Sequence, residues 1–507
     1  MLASIRASTL WGVESQPVVV EVHIGNGLPS FTVVGQPDTA CREARDRVRA
    51  ALLSSGFAWP QTRITVNLAP AEVRKAGASL DLAIAVGVLV ASGEIPAERV
   101  ASLGFLGELG LDGSLRRIPG AIPLVDALAG SEVVVPHACA GEARLIQRGR
   151  VRGVANLGEV VAALQGLAPW PEDRADDAPA PPVVIPDFAD VRGQSLARTA
   201  AEIAAAGGHH LLLCGPPGSG KTMIARRLPG LLPPLTTEQA IEVVRIHSAA
   251  AIRVGNTLPL TAPLRAPHHM ASAVALLGGG SAWLRPGELS CAQHGVLFLD
   301  EMGEFAPFVL DALRQPLEEG IVRVDRARGS VIFPAQFLLV GATNPCPCGW
   351  LGTPLGHGPQ CQCSPAARER YARRLSGPLL DRFDLRVAVE RPDASELLDA
   401  PSAEPSSVIA ERVRKARVIA AERGVTANAF IPDRDLDALA RVDASGRALL
   451  EKRLRSGSLT ARGMVRIRRV ARTIADLDDV SIDGPVPADA IHLAIEYRRS
   501  TLLEDRR

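Results

Sequence analysis

The chain has 507 residues, 47% of them hydrophobic, which predicts about three domains with real cores. Aromatic residues make up only 4% and the net charge is +1, which excludes a global polycation that binds nucleic acid by bulk attraction; any such contact must come from local basic patches. The start of the sequence lacks a signal-peptide pattern, and the longest clean apolar run, residues 82–91, falls short of the roughly 18 residues a membrane span needs, so a soluble cytoplasmic protein with no membrane partner is expected.

Residues 1–166 alternate short β-rich runs (18–24, 31–34, 63–68) with helical patterns (39–54, 79–91) and read as a compact α/β domain. The stretch RKAGASLDLAIA at 74–85 resembles the nucleophile region of Lon-type serine–lysine proteases, with Ser79 at the nucleophile position. The likeness continues through Gly107-Glu108 and IPGAI at 118–122. It implies a Lon-protease-like (ribosomal S5 domain 2-like) fold, and it puts the catalytic lysine of those proteases at Ile122. Isoleucine cannot take the serine proton, so the hydroxyl stays weakly nucleophilic and no peptidase activity is expected. Ser79 then reads as a helix N-cap. Four isolated cysteines, Cys41, Cys139, Cys214 and Cys291, lie in apolar or helical contexts, which argues against a disulfide framework. Residues 167–186, rich in Pro, Ala and acid, read as a semi-extended linker.

The segment 187–392 opens on the most telling stretch, LLLCGPPGSGKT at 211–222. An apolar strand feeds a glycine-rich turn ending in Gly-Lys-Thr, which fits the phosphate-binding loop G-x-x-x-x-G-K-[ST]. Gly215, Gly218 and Gly220 permit backbone angles that turn consecutive N–H groups inward, with Pro216, Pro217 and Ser219 completing the cradle. Lys221 can reach the β- and γ-phosphates of ATP, and the Thr222 hydroxyl can ligate Mg²⁺. Downstream, GVLFLDE at 295–301 carries two acids to the end of an apolar strand, where α/β folds place ligands. Asp300 would hold Mg²⁺ through water and Glu301 would polarise the attacking water. A third strand, FLLVGATN at 337–344, ends in Asn344, which can orient that water.

This loop–acid–amide order resembles the AAA+ ATPases, whose amide strand lies between the other two. The resemblance implies a parallel sheet in the core and a helical lid over 393–507. SGPLLDRFD at 376–384 looks like the segment that offers an arginine finger to a neighbouring subunit, which assigns Arg382 that role. LTAR at 459–462 opens a basic helix as the second sensor arginine does in this class, which points to Arg462.

NLAPA at 67–71, RAPHH at 265–269, RPGELS at 285–290, LRQPLE at 313–318 and NPCPCG at 344–349 together resemble the ComM/YifB family of magnesium-chelatase-like ATPases over nearly the whole chain. The resemblance implies a homo-hexameric ring motor with helicase-like activity, driving branch migration of DNA junctions in recombination during natural transformation. The alternative is a chelatase-type or protein-remodelling ATPase whose ring moves a partner protein. Between the acid and amide strands, two β-rich runs flank DRARG at 325–329, a tip of hairpin character that brings Arg323, Arg326 and Arg328 forward for DNA phosphate contact; a solvated hairpin tip is the other reading. The basic tract running from Lys452 to Arg472 reads as lid packing before DNA contact, and His268 and His269 as supports of the insert around them.

Cys346, Cys348, Cys361 and Cys363 supply four thiols on a Gly/Pro-rich loop, 346–363, a set that suits tetrahedral Zn²⁺. His357 can replace one thiol. An unmetallated loop and a redox pair remain the alternatives.

Overall fold

The computed structural model describes the chain except residues 147–149, 173–183, 281–283, 327–328, 354–358, 393–402, 481, 483 and 499–507; of Arg326 and Gly329 it describes the backbone alone. Most of the proline-rich joint read as a linker therefore lies outside the described residues.

Strict alternation of buried and exposed residues through Ala3, Ile5 and Ala7 makes Leu2–Trp11 a half-buried strand. It turns at Gly12, whose φ of +69° suits glycine, and pairs antiparallel with Glu14–Gly25 from Leu2↔His23 to Trp11↔Glu14. These two strands sit inside a seven-stranded mixed sheet ordered Ser30–Val34, Arg63–Ala69, Glu14–Gly25, Leu2–Trp11, Leu103–Phe105, Glu132–Pro136, Val151–Val154. The helix Thr39–Ser54 is capped by Asp38, whose carboxylate accepts the Cys41 N–H at 2.8 Å. The helix Asp81–Ser92 is buried from Asp81 to Ala91 because it packs on the two long strands.

Ser79 is not the cap of that helix. Leu80 holds the cap position with no side-chain bond, while the Ser79 carbonyl accepts the Gly107 N–H at 2.8 Å, so its backbone serves the neighbouring loop instead. Ile122 is fully buried on the helix Ala121–Asp126.

The second sheet has five parallel strands, ordered Leu264–Arg265, Val296–Leu299, Leu338–Thr343, Leu211–Cys214, Leu385–Ala388. Their near-continuous apolar runs are what a sheet covered on both faces requires. The amide strand does lie between the acid strand and the loop strand, with Phe298 and Leu211 both in register with Val340. The C-terminal part is helical: Ser406–Glu422, Ala444–Arg455, Ala461–Leu477 and Ala488–Arg498. Ala461–Leu477 turns Ile467, Val470, Ala471 and Ile474 inward and packs on Ser195–Gly207 of the sheet's helical layer.

The two sheets share a continuous apolar cluster. The Gly120 N–H donates to the Ser248 carbonyl at 2.8 Å, the Ile122 N–H faces the Ser248 hydroxyl at 3.4 Å, and Arg245 pairs with Asp126 at 2.8 Å. No helix among the described residues is long and apolar enough to cross a membrane.

Candidate nucleotide site and cysteine cluster

At the C-terminal edge of the parallel sheet, Leu211–Cys214 runs into the glycine turn and the helix Lys221–Arg227. A side chain at Gly215 would run into the Val389 carbonyl, and Gly218 and Gly220 take φ of +76° and +90°. Glycine is what lets the turn close. The buried Ser219 hydroxyl has no hydrogen-bond partner among the described residues, a donor left for something the cleft takes. The cleft measures about 750 Å³ and is lined by Lys221, Thr222, Asp300, Glu301, Asn344 and Arg391 among others.

Lys221 Nζ donates to the carbonyls of Gly215 and Pro216 at 2.8 Å each and lies 3.4 Å from Asn344 Oδ1. Burial pushes its ammonium below the ordinary lysine range, while the negative charges of Asp300 and Glu301 pull the other way. The Thr222 hydroxyl donates to Asp300 Oδ2 at 2.8 Å, and Asp300 Oδ1 accepts the Glu301 N–H at 2.9 Å. Glu301 itself is exposed and sits at φ +50°, an uncommon backbone for a non-glycine residue and one that often marks a working site. His269 Nδ1 is 3.4 Å from its carboxylate.

The cysteine loop abuts this cleft. Cys346 Sγ lies 3.3 Å from Cys348 and 3.6 Å from Cys361, Cys348 lies 3.6 Å from Cys361, and all four sulfurs fall within 4.8 Å of one another. These separations exceed the ~2.05 Å of a disulfide and approach the ~3.8 Å edge of a tetrahedron with 2.3 Å metal–sulfur bonds. The four residues can hold a metal ion. Burial resists ionisation of Cys348, but the N–H groups of Trp350 and Gln362 and the neighbouring thiols bring it down to about 6; burial and the Cys348 thiol push Cys346 up to about 12. His357 lies outside the described residues. The four isolated cysteines are buried free thiols, Cys41 donating to the Gly77 carbonyl at 3.1 Å, and burial raises Cys214 and Cys291 to about 12.

Family models agree with this layout. "Magnesium chelatase, subunit ChlI" matches residues 187–397, "Subunit ChlI of Mg-chelatase" residues 20–138, and "Magnesium chelatase, subunit ChlI C-terminal" residues 403–498. An uncharacterized protein of Mycobacterium tuberculosis is 43% identical over 96% of this chain and 97% of its own length. YifB of Salmonella typhimurium is 40% identical (98% and 97%), and the competence protein ComM of Haemophilus influenzae 41% identical (97% and 97%). The chain belongs to the ComM/YifB family of magnesium-chelatase-like AAA+ ATPases. Family membership implies ATP and Mg²⁺ for the cleft, and the donors present fit both: a cradle of backbone N–H groups with an ammonium, and a hydroxyl paired with a carboxylate.

Two residues expected to serve the AAA+ cycle stand elsewhere. Arg382 is 8% exposed, ion-paired with Glu318, and donates to the Pro378 carbonyl at 3.2 Å. Arg462 is exposed in the first turn of Ala461–Leu477. Neither is among the described residues lining the cleft. The hairpin expected between the acid and amide strands is present, Ile321–Arg326 pairing antiparallel with Gly329–Pro334. Its inner face, Val322, Val324, Val331 and Phe333, is buried; a side chain at Gly12 of the N-terminal sheet would run into Val331. Arg323 is on the outer face, opposite Ile332 and 3.6 Å from Glu319, set back from the tip. Arg328 lies outside the described residues.

The basic tract of the lid spans two helices, and beyond the exposed Arg462 the second turns its arginines inward. Arg466 donates to Asp384 at 2.6 Å and to the Arg382 carbonyl at 3.0 Å, Arg468 and Arg469 donate to carbonyls, and Arg472 pairs with Asp476. Sequence reasoning missed the contacts of His269, Glu318 and Arg391. The RAPHH and LRQPLE motifs hold the first two, but nothing local in the sequence names their partners.

Proposed function

We propose that this chain is an ATP-hydrolysing ring motor acting on DNA, with branch migration and helicase activity in homologous recombination during natural transformation. The observation that carries the reading is a cleft in which Lys221, Thr222, Asp300, Glu301 and Asn344 converge while Arg382 and Arg462 stand outside it. Lys221 binds the β- and γ-phosphates; Thr222 and Asp300 hold Mg²⁺; Glu301 polarises the attacking water, which Asn344 orients. Pro216, Pro217 and Ser219 shape the cradle. Arg382 completes the site of a neighbouring copy and Arg462 serves as the second sensor arginine, which calls for a ring of copies, a homo-hexamer by the family resemblance. The likeness to a relative named for competence supports DNA as the track, with Arg323, Arg326 and Arg328 as phosphate contacts. The thiols of Cys346, Cys348, Cys361 and Cys363 hold a structural Zn²⁺.

A second reading, a ring that works on a partner protein, draws on the magnesium-chelatase names of all three family models. ATP turnover measured with a four-way DNA junction, linear duplex or no DNA tests the choice. Stimulation by the junction is expected. Turnover indifferent to every DNA would favour the protein partner.

A further inference from the structure

The loop that bears the cysteines presses on the phosphate loop through Gly349 and, by way of Arg391, through Trp350. Gly349 and Trp350 come immediately after Cys348. The Gly349 N–H donates to the Cys346 carbonyl at 2.9 Å and its φ is +84°, so the chain turns tightly between two of the thiols. That turn lays Gly349 on Pro217 of the phosphate loop: a Cβ there would lie 2.5 Å from Pro217 Cδ. On the other side the Trp350 ring stacks on Arg391, whose Cζ is 4.5 Å from the ring centroid. Arg391 in turn donates through Nε and Nη2 to the Pro217 carbonyl at 3.2 and 3.0 Å. Pro217 and Arg391 both line the cleft. The loop that bears these contacts has little core of its own, since Cys346 is its one buried side chain among the described residues 346–363. A loop of that kind takes its order from a bound ion.

We propose that a thiophilic divalent cation, zinc by its ligand set, held by Cys346, Cys348, Cys361 and Cys363 braces the phosphate loop through Gly349–Pro217 and Trp350–Arg391, so that metal loading sets nucleotide affinity. The inference rests on reading the cleft as the nucleotide site. The metal takes no part in hydrolysis; it fixes the turn whose two faces press on the cradle. Magnesium cannot replace it, because thiolates are soft ligands and Mg²⁺ demands oxygen.

The test uses the full chain and a fluorescent ATP analogue, with zinc per chain measured by atomic spectroscopy. Protein stripped by a chelator, then freed of it, should bind the analogue more weakly in the presence of Mg²⁺, and added Zn²⁺ should restore the affinity. Trp350→Ala keeps all four thiols, so it should retain its zinc yet bind the analogue roughly two- to thirtyfold more weakly, the range of one cation–π interaction. That variant decides the matter if stripped protein aggregates. Lys221→Ala separates the two readings. Unchanged affinity in stripped protein and in Trp350→Ala, with binding abolished in Lys221→Ala, would overturn the brace and leave the nucleotide site standing. Binding retained in Lys221→Ala would overturn the site itself. Failure of the purified or zinc-incubated protein to hold zinc would remove the metal.

Discussion

The Lys221 ammonium is satisfied by two carbonyls of its own loop and the Thr222 hydroxyl by Asp300. A nucleotide therefore enters by exchanging partners with groups that are already positioned. Lys221→Ala should abolish binding of a fluorescent ATP analogue. Glu301→Gln should bind ATP and hydrolyse it more slowly, by roughly 10²–10⁴, the span of general-base assistance. Comparable turnover in Glu301→Gln and wild type would remove Glu301 from the role. Arg382 has a different signature, because its guanidinium is held by Glu318 away from its own cleft. Arg382→Ala should keep ATP affinity while losing turnover, by roughly 10³–10⁵ if it acts as fingers supplied in trans do. Mixing Arg382→Ala with Glu301→Gln chains should then recover some activity at shared interfaces; no recovery at any mixing ratio counts against a trans role.

Among the elements, the hairpin and the lid helix make opposite uses of arginine. The outer face of the hairpin presents Arg323, and its tip carries Arg326 and Arg328 in sequence. Replacing all three with Ala should lower DNA stimulation while basal turnover survives. The slope of log affinity against log salt should shrink by about 0.9 for each duplex phosphate that the variant no longer neutralises; an unchanged slope places the grip elsewhere. The lid helix Ala461–Leu477 instead docks through a buried network in which Asp384 accepts from Arg466 and lies 3.6 Å from His209. Burial works against the Asp384 charge, but the His209 contact and the Arg466 charge prevail and hold its carboxyl well below the usual range. The stability this supplies is present above about pH 4 and is lost as the pH falls below it toward the depressed folded value. Asp384→Ala, which strands Arg466, should cost roughly 3–5 kcal/mol in denaturant unfolding and flatten the acid limb of the stability profile. The loop, acid and amide strands were legible in sequence because each is a short apolar run closed by a distinctive turn. Leu2–Trp11 was not, since its inward positions are partly alanine, a weak β-former. The basic run of the lid was legible as packing, but the particular carbonyls and acid that take Arg466, Arg468 and Arg469 were not, because the fold brings them from remote parts of the chain.

At the scale of the molecule, the N-terminal domain is bound to the ATPase part by bonds from the Gly120 N–H to the Ser248 carbonyl and from the Ile122 N–H to the Ser248 hydroxyl. The likeness around Ser79 was readable, and so was the isoleucine where a lysine would be needed; that the segment doubles as a seam was not, because its partner is remote in sequence. The intact chain should give no covalent labelling of Ser79 with a serine-reactive probe at neutral pH, as Ile122 offers no base; labelling would overturn that. The hairpin makes the seam two-pointed. Val331 and Phe333 of its apolar face meet the turn at Gly12, so an ATPase fragment of residues 187–507 made alone should expose that part of the face and bind a hydrophobic dye that the whole chain ignores. Genetics would meet the same feature from another side. A screen for impaired ATP turnover should return lesions at Gly12, a residue with no access to the nucleotide, because bulk there unseats the hairpin strung between the two strands that end at Asp300 and Asn344.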